Sequence, residues 1–362
     1  MVAIALRSEP AGLPAQARRI LGSHAWLIAV FAAYAGIALA TAHALGLERG
    51  FSLTLYAEGV LRIYLLWAIA LAIGYPAYVI VFVRPRQLTR YLLNALWTRY
   101  LTFERLFSAS IVLLMLPFFV SVFTSFKTLI PWINPYDWDP TFMAWDRWLH
   151  GGSHPWELLQ PLLGYPLVTT LVNAVYHLWF FLLFGMLLWQ IFSVSQPRLR
   201  MQFLLTFALS WSLLGSLAAT LLASVGPCYY GAVTGLEDPF APLMAYLKAA
   251  DESYPVWALG VQDMLWQAYE ARRLEVGAGI SAMPSMHVSS SLLLTLLCWR
   301  VNRVLGYALG LFTLMILIGS VHLGWHYAID GYLAIAATLV IWQLVGRFLH
   351  SERFGRFFAQ SA

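Results

Sequence analysis

The chain has 362 residues, 60% of them hydrophobic and 11% charged, with a mean hydropathy of +0.70. Soluble domains carry about 25% charged residues, so a water-soluble fold of this size is excluded, as is a disordered chain, which needs more polar residues. The net charge of +5, from 22 Lys and Arg against 17 Asp and Glu, fits the cytoplasmic loops of a polytopic membrane protein better than a nucleic-acid surface.

A membrane span needs about 20 mostly apolar residues. Eight stretches qualify, with ends read to within about three residues: 25–46, 60–83, 107–126, 166–192, 202–224, 285–301, 304–321 and 326–348. The sixth and seventh are short and share a tight turn around Arg300 and Arg303. Residues 140–150 read as a short interfacial helix, in which Trp145 and Trp148 alternate with Asp146 and Arg147. The long segment 225–284 reads as an outer loop with helical turns over 238–275. The 16 Trp, 18 Tyr and 22 Phe suit aromatic belts at two interfaces. The fold class is therefore all-α, a polytopic membrane helix bundle of about eight transmembrane helices. It divides into an N-terminal cytoplasmic segment with two transmembrane helices (1–106), a membrane core (107–348) and a cytoplasmic tail (349–362). No repeat of fixed period is visible. Cys228 falls in a loop and Cys298 near the far end of the next span, so a disulfide between them is not expected.

Charge alternates between the loops. Arg7, Arg18 and Arg19 precede the first span, and Arg84, Arg86, Arg90, Arg99 and Arg105 follow the second. Arg198 and Arg200 follow the fourth, Arg300 and Arg303 the sixth, and Arg347, Arg353 and Arg356 end the chain. The other side holds only Arg49, Lys127, Arg147, Lys248, Arg272 and Arg273, and Arg62 lies inside the second span. The positive-inside rule places both termini in the cytoplasm. Loops 127–165 and 225–284 and the turn 322–325 then face outward, most simply from a plasma (inner) membrane. Arg18-Arg19, the apolar run and Ala40-Thr41-Ala42 also resemble a signal peptide. The apolar run is long for one, and cleavage would leave the downstream orientation unchanged.

Three outward-facing places concentrate unusual residues: Lys127 to Pro135, Ala282 to His287, and His322 to Asp330. His326 and Asp330 are four apart and would share a helix face. A carboxylate there can accept a proton from one imidazole nitrogen and leave the other free as nucleophile or base. The bland alternative is a His–Asp pair that only locks two helices. His287 changes the balance. Two crossings separate it from His326, so both lie at one face. Pro284 suits a first helical turn, which sets His287 near the positive end of the helix dipole, where phosphate binds readily.

These three places resemble the motifs of the type 2 phosphatidic acid phosphatase superfamily, K-x6-R-P, P-S-G-H and S-R-x5-H-x3-D. Lys127 is followed by six residues and then Asn134-Pro135. Pro284-Ser285-Met286-His287 differs from the second motif only at Met286, and Gly319-Ser320, His326 and Asp330 keep the third spacing. The resemblance runs over residues 127–330 and implies a six-helix phosphatase-type core. Asn134 and Ser320 stand where the superfamily's arginines hold phosphate oxygens. Their absence removes bidentate clamps for a dianionic monoester and leans toward a monoanionic phosphodiester. The forms around His287 and His-Tyr-x-x-Asp also look like the branch of the inositol phosphorylceramide synthases of sphingolipid metabolism, with sphingomyelin synthases sharing the last motif. That branch is inositolphosphotransferase-like and moves phospho-headgroups between lipids.

The resemblance implies a mechanism. His326, oriented by Asp330, attacks phosphorus; His287 protonates the leaving alcohol and then deprotonates the acceptor. Lys127 and helix-start N–H groups stabilise the charge. Asn134, Ser285, Ser320 and Tyr229 complete the expected substrate contacts. Neither metal nor other cofactor is implied. The expected partners are a phospholipid donor, a lipid alcohol or water as acceptor, and the bilayer, with no nucleic acid.

Other readings stand beside this one. A hydrolase for phosphatidate or isoprenyl pyrophosphate needs no second lipid site. A transporter with a proton-coupled His–Asp relay is a different class, although the ionisable groups cluster at one face rather than at the midplane. A non-enzymatic assembly factor with a dead site conflicts with a complete His, His, Asp set. His322, His326 and Asp330 at successive helical turns offer a less favoured metal face. Gly226 to Gly231 either lines a headgroup site or is a Gly/Pro helix stop with interfacial tyrosines, the weightier reading. Asp137 and Asp139 read as solvated loop carboxylates in preference to hydroxyl ligands. Arg272 and Arg273, flanked by Glu270 and Glu275, read as surface charges. Arg84 and Arg86 around Pro85 imitate an R-P motif on the cytoplasmic side and read as topology determinants.

Overall fold

The computed structural model describes residues 12–351. Arg7, Arg353, Arg356 and the tail beyond Ser351 lie outside the described residues. Fourteen helices account for the architecture: α1 Leu13–Ala44, α2 Ala57–Val83, α3 Leu88–Ala95, α4 Phe103–Ile133, α5 Asp139–Leu149, α6 Pro155–Leu163, α7 Pro166–Phe192, α8 Pro197–Leu221, α9 Tyr230–Thr234, α10 Ala241–Asp251, α11 Trp257–Glu270, α12 Met286–Val301, α13 Arg303–His322 and α14 Ala328–His350. Proline explains several of the starts. Pro14, Pro140, Pro155, Pro166, Pro197 and Pro242 each sit in the first turn, where the missing N–H costs nothing.

Seven helices are long and apolar enough to cross a membrane: α1, α2, α4, α7, α8, α13 and α14. The chain is an integral membrane protein. The expected sixth span, α12, is only 16 residues long, about 24 Å at 1.5 Å per residue. The 13 residues before it, 273–285, are not helical. Four bounds differ from expectation by more than a turn: the start of α1, both ends of α4 and the start of α8. Arg18 and Arg19 lie within α1, not before it, and α4 continues past residue 126 to Ile133.

Burial sorts the helices. The most apolar 18-residue window of α8 is 61% buried and that of α2 only 6%, so α8 is central and α2 peripheral. One cluster joins Leu27 and Tyr34 of α1, Leu116 and Phe119 of α4, Leu187 of α7, Phe203 of α8, Leu294 of α12 and Trp342 of α14. A second cluster, toward the His287 end, brings Phe142, Trp156, Leu243 and Ala258 from the outer helices onto Tyr176, Val288 and Tyr327. The outer segments 139–163 and 241–270 thus form a helical roof over one end of the bundle. The helical turns expected over 238–275 are α10 and α11; α6 was not expected. Cys228 and Cys298 are both free thiols.

Two polar details set the opposite end. Asn302 joins α12 to α13, and its Oδ1 accepts the N–H groups of Val304 (2.8 Å) and Leu305 (3.2 Å). Arg200, read from the sequence as one of the cytoplasmic-side loop charges, is buried. Its guanidinium donates to the carbonyls of Gln190 (2.7 Å) and Ile191 (3.0 Å) at the end of α7, and lies 2.9 Å from His24 Nε2. The reason is geometric: the tight connection from α7 to α8 leaves terminal carbonyls that a guanidinium can satisfy. Arg200→Ala should therefore cost about 2–4 kcal/mol, because it strands buried acceptors. A thermal midpoint in detergent equal to that of the wild type would contradict this role.

Candidate active site

The His326 turn comes first, because everything else packs around it. α13 ends at His322, and α14 starts at Ala328. The Ser320 carbonyl accepts from the N–H groups of Trp325 (2.9 Å) and His326 (3.1 Å), which folds the intervening residues into a turn. His326 is thus outside the helix that carries Asp330, and the expected shared helix face does not form. The pair forms across the helix start instead. His326 Nδ1 is 3.1 Å from Asp330 Oδ2, which also accepts the Tyr327 N–H at 3.1 Å. The imidazole is 7% exposed and the carboxylate fully buried. A proton held on Nδ1 toward Asp330 leaves Nε2 with its lone pair. His322 turns away: its Nε2 lies 2.9 Å from Thr169 Oγ1. The less favoured metal face of His322, His326 and Asp330 required a continuous helix, and residues 323–327 break it.

His287 arrives from the other side. The extended segment before α12 is held by backbone: Ala282 N–H donates to the Ser224 carbonyl (2.9 Å), and Ser285 N–H to the Asp330 carbonyl (3.2 Å). Ser285 is the N-cap of α12, its buried Oγ accepting the Val288 N–H at 3.4 Å. That sets His287 in the first helical turn, where N–H groups lack intrahelical acceptors. The His287 ring lies 6.3 Å, centroid to centroid, from that of His326. It packs on Tyr176 at 4.7 Å and Trp179 at 4.2 Å.

Lys127 completes the group. Because α4 runs to Ile133, Lys127 sits in a helix rather than in the expected loop. Its ammonium is close enough to act electrostatically on both imidazoles. Gly279, at φ +90°, lies against it: a Cβ there would stand 3.0 Å from the Lys127 carbonyl carbon. Only glycine lets the loop descend this far.

The other sequence candidates have their polar groups engaged within the fold. Asn134 Nδ2 donates to the Thr220 carbonyl at 2.8 Å, closing the end of α8. Ser320 Oγ donates to the Leu317 carbonyl at 2.7 Å. Tyr229 donates to the Gln262 carbonyl at 2.9 Å and stacks on Trp266. The structure thus brings together His287, His326, Asp330 and Lys127, with Ser285 as the cap beneath His287. The Gly226–Gly231 loop reaches the same place through its backbone, Cys228 N–H donating to the Gly324 carbonyl at 2.9 Å. Arg273 pairs with Glu275 at 3.3 Å, and Arg272 lies over the Trp132 ring at 4.5 Å.

The sequence reading missed what α5 does. Asp139 is not a solvated carboxylate; it is fully buried. It accepts the N–H groups of Val225 and Gly226, each at 2.9 Å, and the Tyr327 hydroxyl at 2.8 Å. Asp146 accepts the N–H groups of Ala328 (3.0 Å) and Ile329 (3.1 Å), the first turn of the helix that carries Asp330. Burial pushes both carboxyls up, and those donors partly offset it. Their seven-residue spacing, two helical turns, was the available clue to a common face. Trp145 and Trp148 of the same helix are exposed. One amphipathic helix therefore faces the surroundings with indoles and holds the His326 turn with carboxylates.

A family model described as the PAP2 superfamily matches residues 140–344. The match includes Pro284 to His287 and Ser320 to Asp330 and leaves Lys127 to Pro135 outside. No curated protein and no solved structure matches. Since the match covers more than half of the chain, the protein belongs to the PAP2 superfamily, whose members are phosphatases and phosphotransferases.

Proposed function

We propose that the protein is a lipid phosphotransferase that moves a phospho-headgroup between lipids at the outer membrane face. It resembles in this the inositol phosphorylceramide synthase branch of its superfamily. The observation that carries the reading is the His326–Asp330 pair, 3.1 Å apart, with His287 facing it across 6.3 Å and Lys127 beside both. The orientation is supported by the basic residues: Arg300, Arg303 and Arg347 lie at the far ends of α12, α13 and α14 from the His pair.

The steps balance within the side chains present. The lone pair of His326 Nε2 forms a P–N bond as the P–O bond to the leaving lipid alcohol breaks. His287, as imidazolium, gives its proton to that oxygen. The substrate's negative charge favours this protonated form. In the second half, the acceptor hydroxyl gives its proton to His287 and attacks phosphorus, and the P–N bond breaks. Asp330 holds Nδ1–H throughout, and Lys127 with the α12 N–H groups stabilises the non-bridging oxygens. With Asn134 and Ser320 tied into the fold, Lys127 is the cation beside the pair, which suits one negative charge better than two.

The test uses purified protein with labelled phospholipids of several headgroups, with and without ceramide or diacylglycerol. A new phospho-headgroup lipid that needs the added acceptor is the expected result. Headgroup phosphate released to water, with or without acceptor, would replace transfer by hydrolysis at the same site. No phosphorus-containing product from any lipid would overturn the reading.

A further inference from the structure

Two arginines that the superfamily uses on phosphate are absent, and the side chains in their places are occupied. Asn134 serves α8 and Ser320 serves its own helix. A phosphoryl group between His287 and His326 therefore needs donors from elsewhere in the chain. Tyr176 of α7 stands beside His287. It is 4% exposed, and its hydroxyl is buried with no hydrogen-bond partner among the described residues. Its ring stacks on His287 at 4.7 Å with an interplanar angle of 24°. It also packs against Gly319, which opens the His326 motif. A Cβ at Gly319 would stand 3.4 Å from Tyr176 Cδ2 and 3.1 Å from Val172 Cγ1.

Buried hydroxyls are almost always hydrogen-bonded, because an unpaired one loses water without compensation. Neighbouring tyrosines obey the rule: Tyr327 donates to Asp139, Tyr229 to Gln262 and Tyr136 to Ile280. Tyr176 breaks it beside His287, at the candidate site, where an oxygen-rich ligand is required. We infer that the Tyr176 hydroxyl binds the substrate directly, donating to a non-bridging phosphoryl oxygen in place of an absent arginine. The inference rests on the phosphotransfer reading above. It sharpens the substrate class, because a neutral donor stabilises a monoanionic phosphodiester without the charge that a dianionic monoester requires.

Tyr176→Phe tests it, since phenylalanine keeps the ring on His287 and removes one oxygen. Two readouts apply: phospholipid turnover, and the affinity for orthovanadate, a phosphoryl mimic, from quenching of tryptophan fluorescence. The expected result is a loss of kcat/KM of roughly a hundredfold, the usual scale for one donor to a developing oxyanion, with weaker vanadate binding. The thermal midpoint stays level or rises, because the lost oxygen had no partner in the unliganded fold. A merely structural hydroxyl would instead lower the midpoint and leave vanadate affinity unchanged, and that result overturns the assignment. Wild-type turnover and vanadate affinity in Tyr176→Phe overturn it equally, while leaving the phosphotransfer reading in place. A wild-type protein that neither binds vanadate nor turns over phospholipid overturns that reading and this inference with it.

Discussion

His326→Ala abolishes turnover, by about a thousandfold or more, while the protein folds as the wild type does. The size follows from the proposed chemistry, in which this imidazole is the nucleophile and residual rates in such variants come only from binding and charge stabilisation. The intact fold follows from the hydrogen bonds. Asp330 Oδ2 keeps the Tyr327 N–H when His326 is removed, and the turn keeps the Ser320 carbonyl as its acceptor. Asp330→Asn is expected to lose about 10²–10⁴-fold, because an amide can present its N–H to Nδ1 and favour the wrong tautomer. His287→Ala removes the proposed general acid, an expected loss of about 10²–10⁴-fold. Rates are compared in detergent at equal folded fraction, from circular dichroism and size-exclusion profiles. A near-normal rate in folded His326→Ala would remove this residue from the reaction.

Asp146→Ala lowers stability by about 3 kcal/mol and activity with it. Two N–H groups at the start of α14 depend on this carboxylate, and both are buried with it. Charge-assisted bonds of this kind are worth about 1.5–3 kcal/mol each, less what water recovers. The activity loss follows because the same helical turn carries Asp330, so loosening it displaces the His326 partner. Asp146→Asn keeps one acceptor oxygen and should cost about half as much. The check is the thermal midpoint in detergent together with turnover. An unchanged midpoint in Asp146→Ala would mean that α5 covers the site without holding it.

Hydropathy made the bundle legible. Seven of the eight expected spans are helices long enough to cross, and the eighth is present as the shorter α12. The three motifs gave His287, His326, Asp330 and Lys127, because chemistry-bearing residues are rare in so apolar a chain. What stayed hidden depends on partners distant in sequence. Lys127 looked like a loop residue because the third expected span stops at residue 126; yet α4 continues to Ile133, with Pro131 in its last turn. Asp139 looked solvated, and Asp146 looked like one polar residue of an interfacial helix, because the backbone N–H groups that donate to them lie more than 80 positions away. Arg200 looked like a topology charge because nothing in its own segment reveals the carbonyls at the end of α7. Backbone polar groups are invisible in a sequence, and here they decide where each charged side chain sits.

The most direct measurement is an alkaline quench of the protein during turnover of a phospholipid labelled in its headgroup phosphate, followed by peptide mass spectrometry. Phosphoramidate bonds survive alkali, so the label should be found on the peptide that carries His326 and be missing from His326→Ala. Label on a different residue, or full turnover by the His326→Ala protein, would contradict phosphoryl transfer through His326.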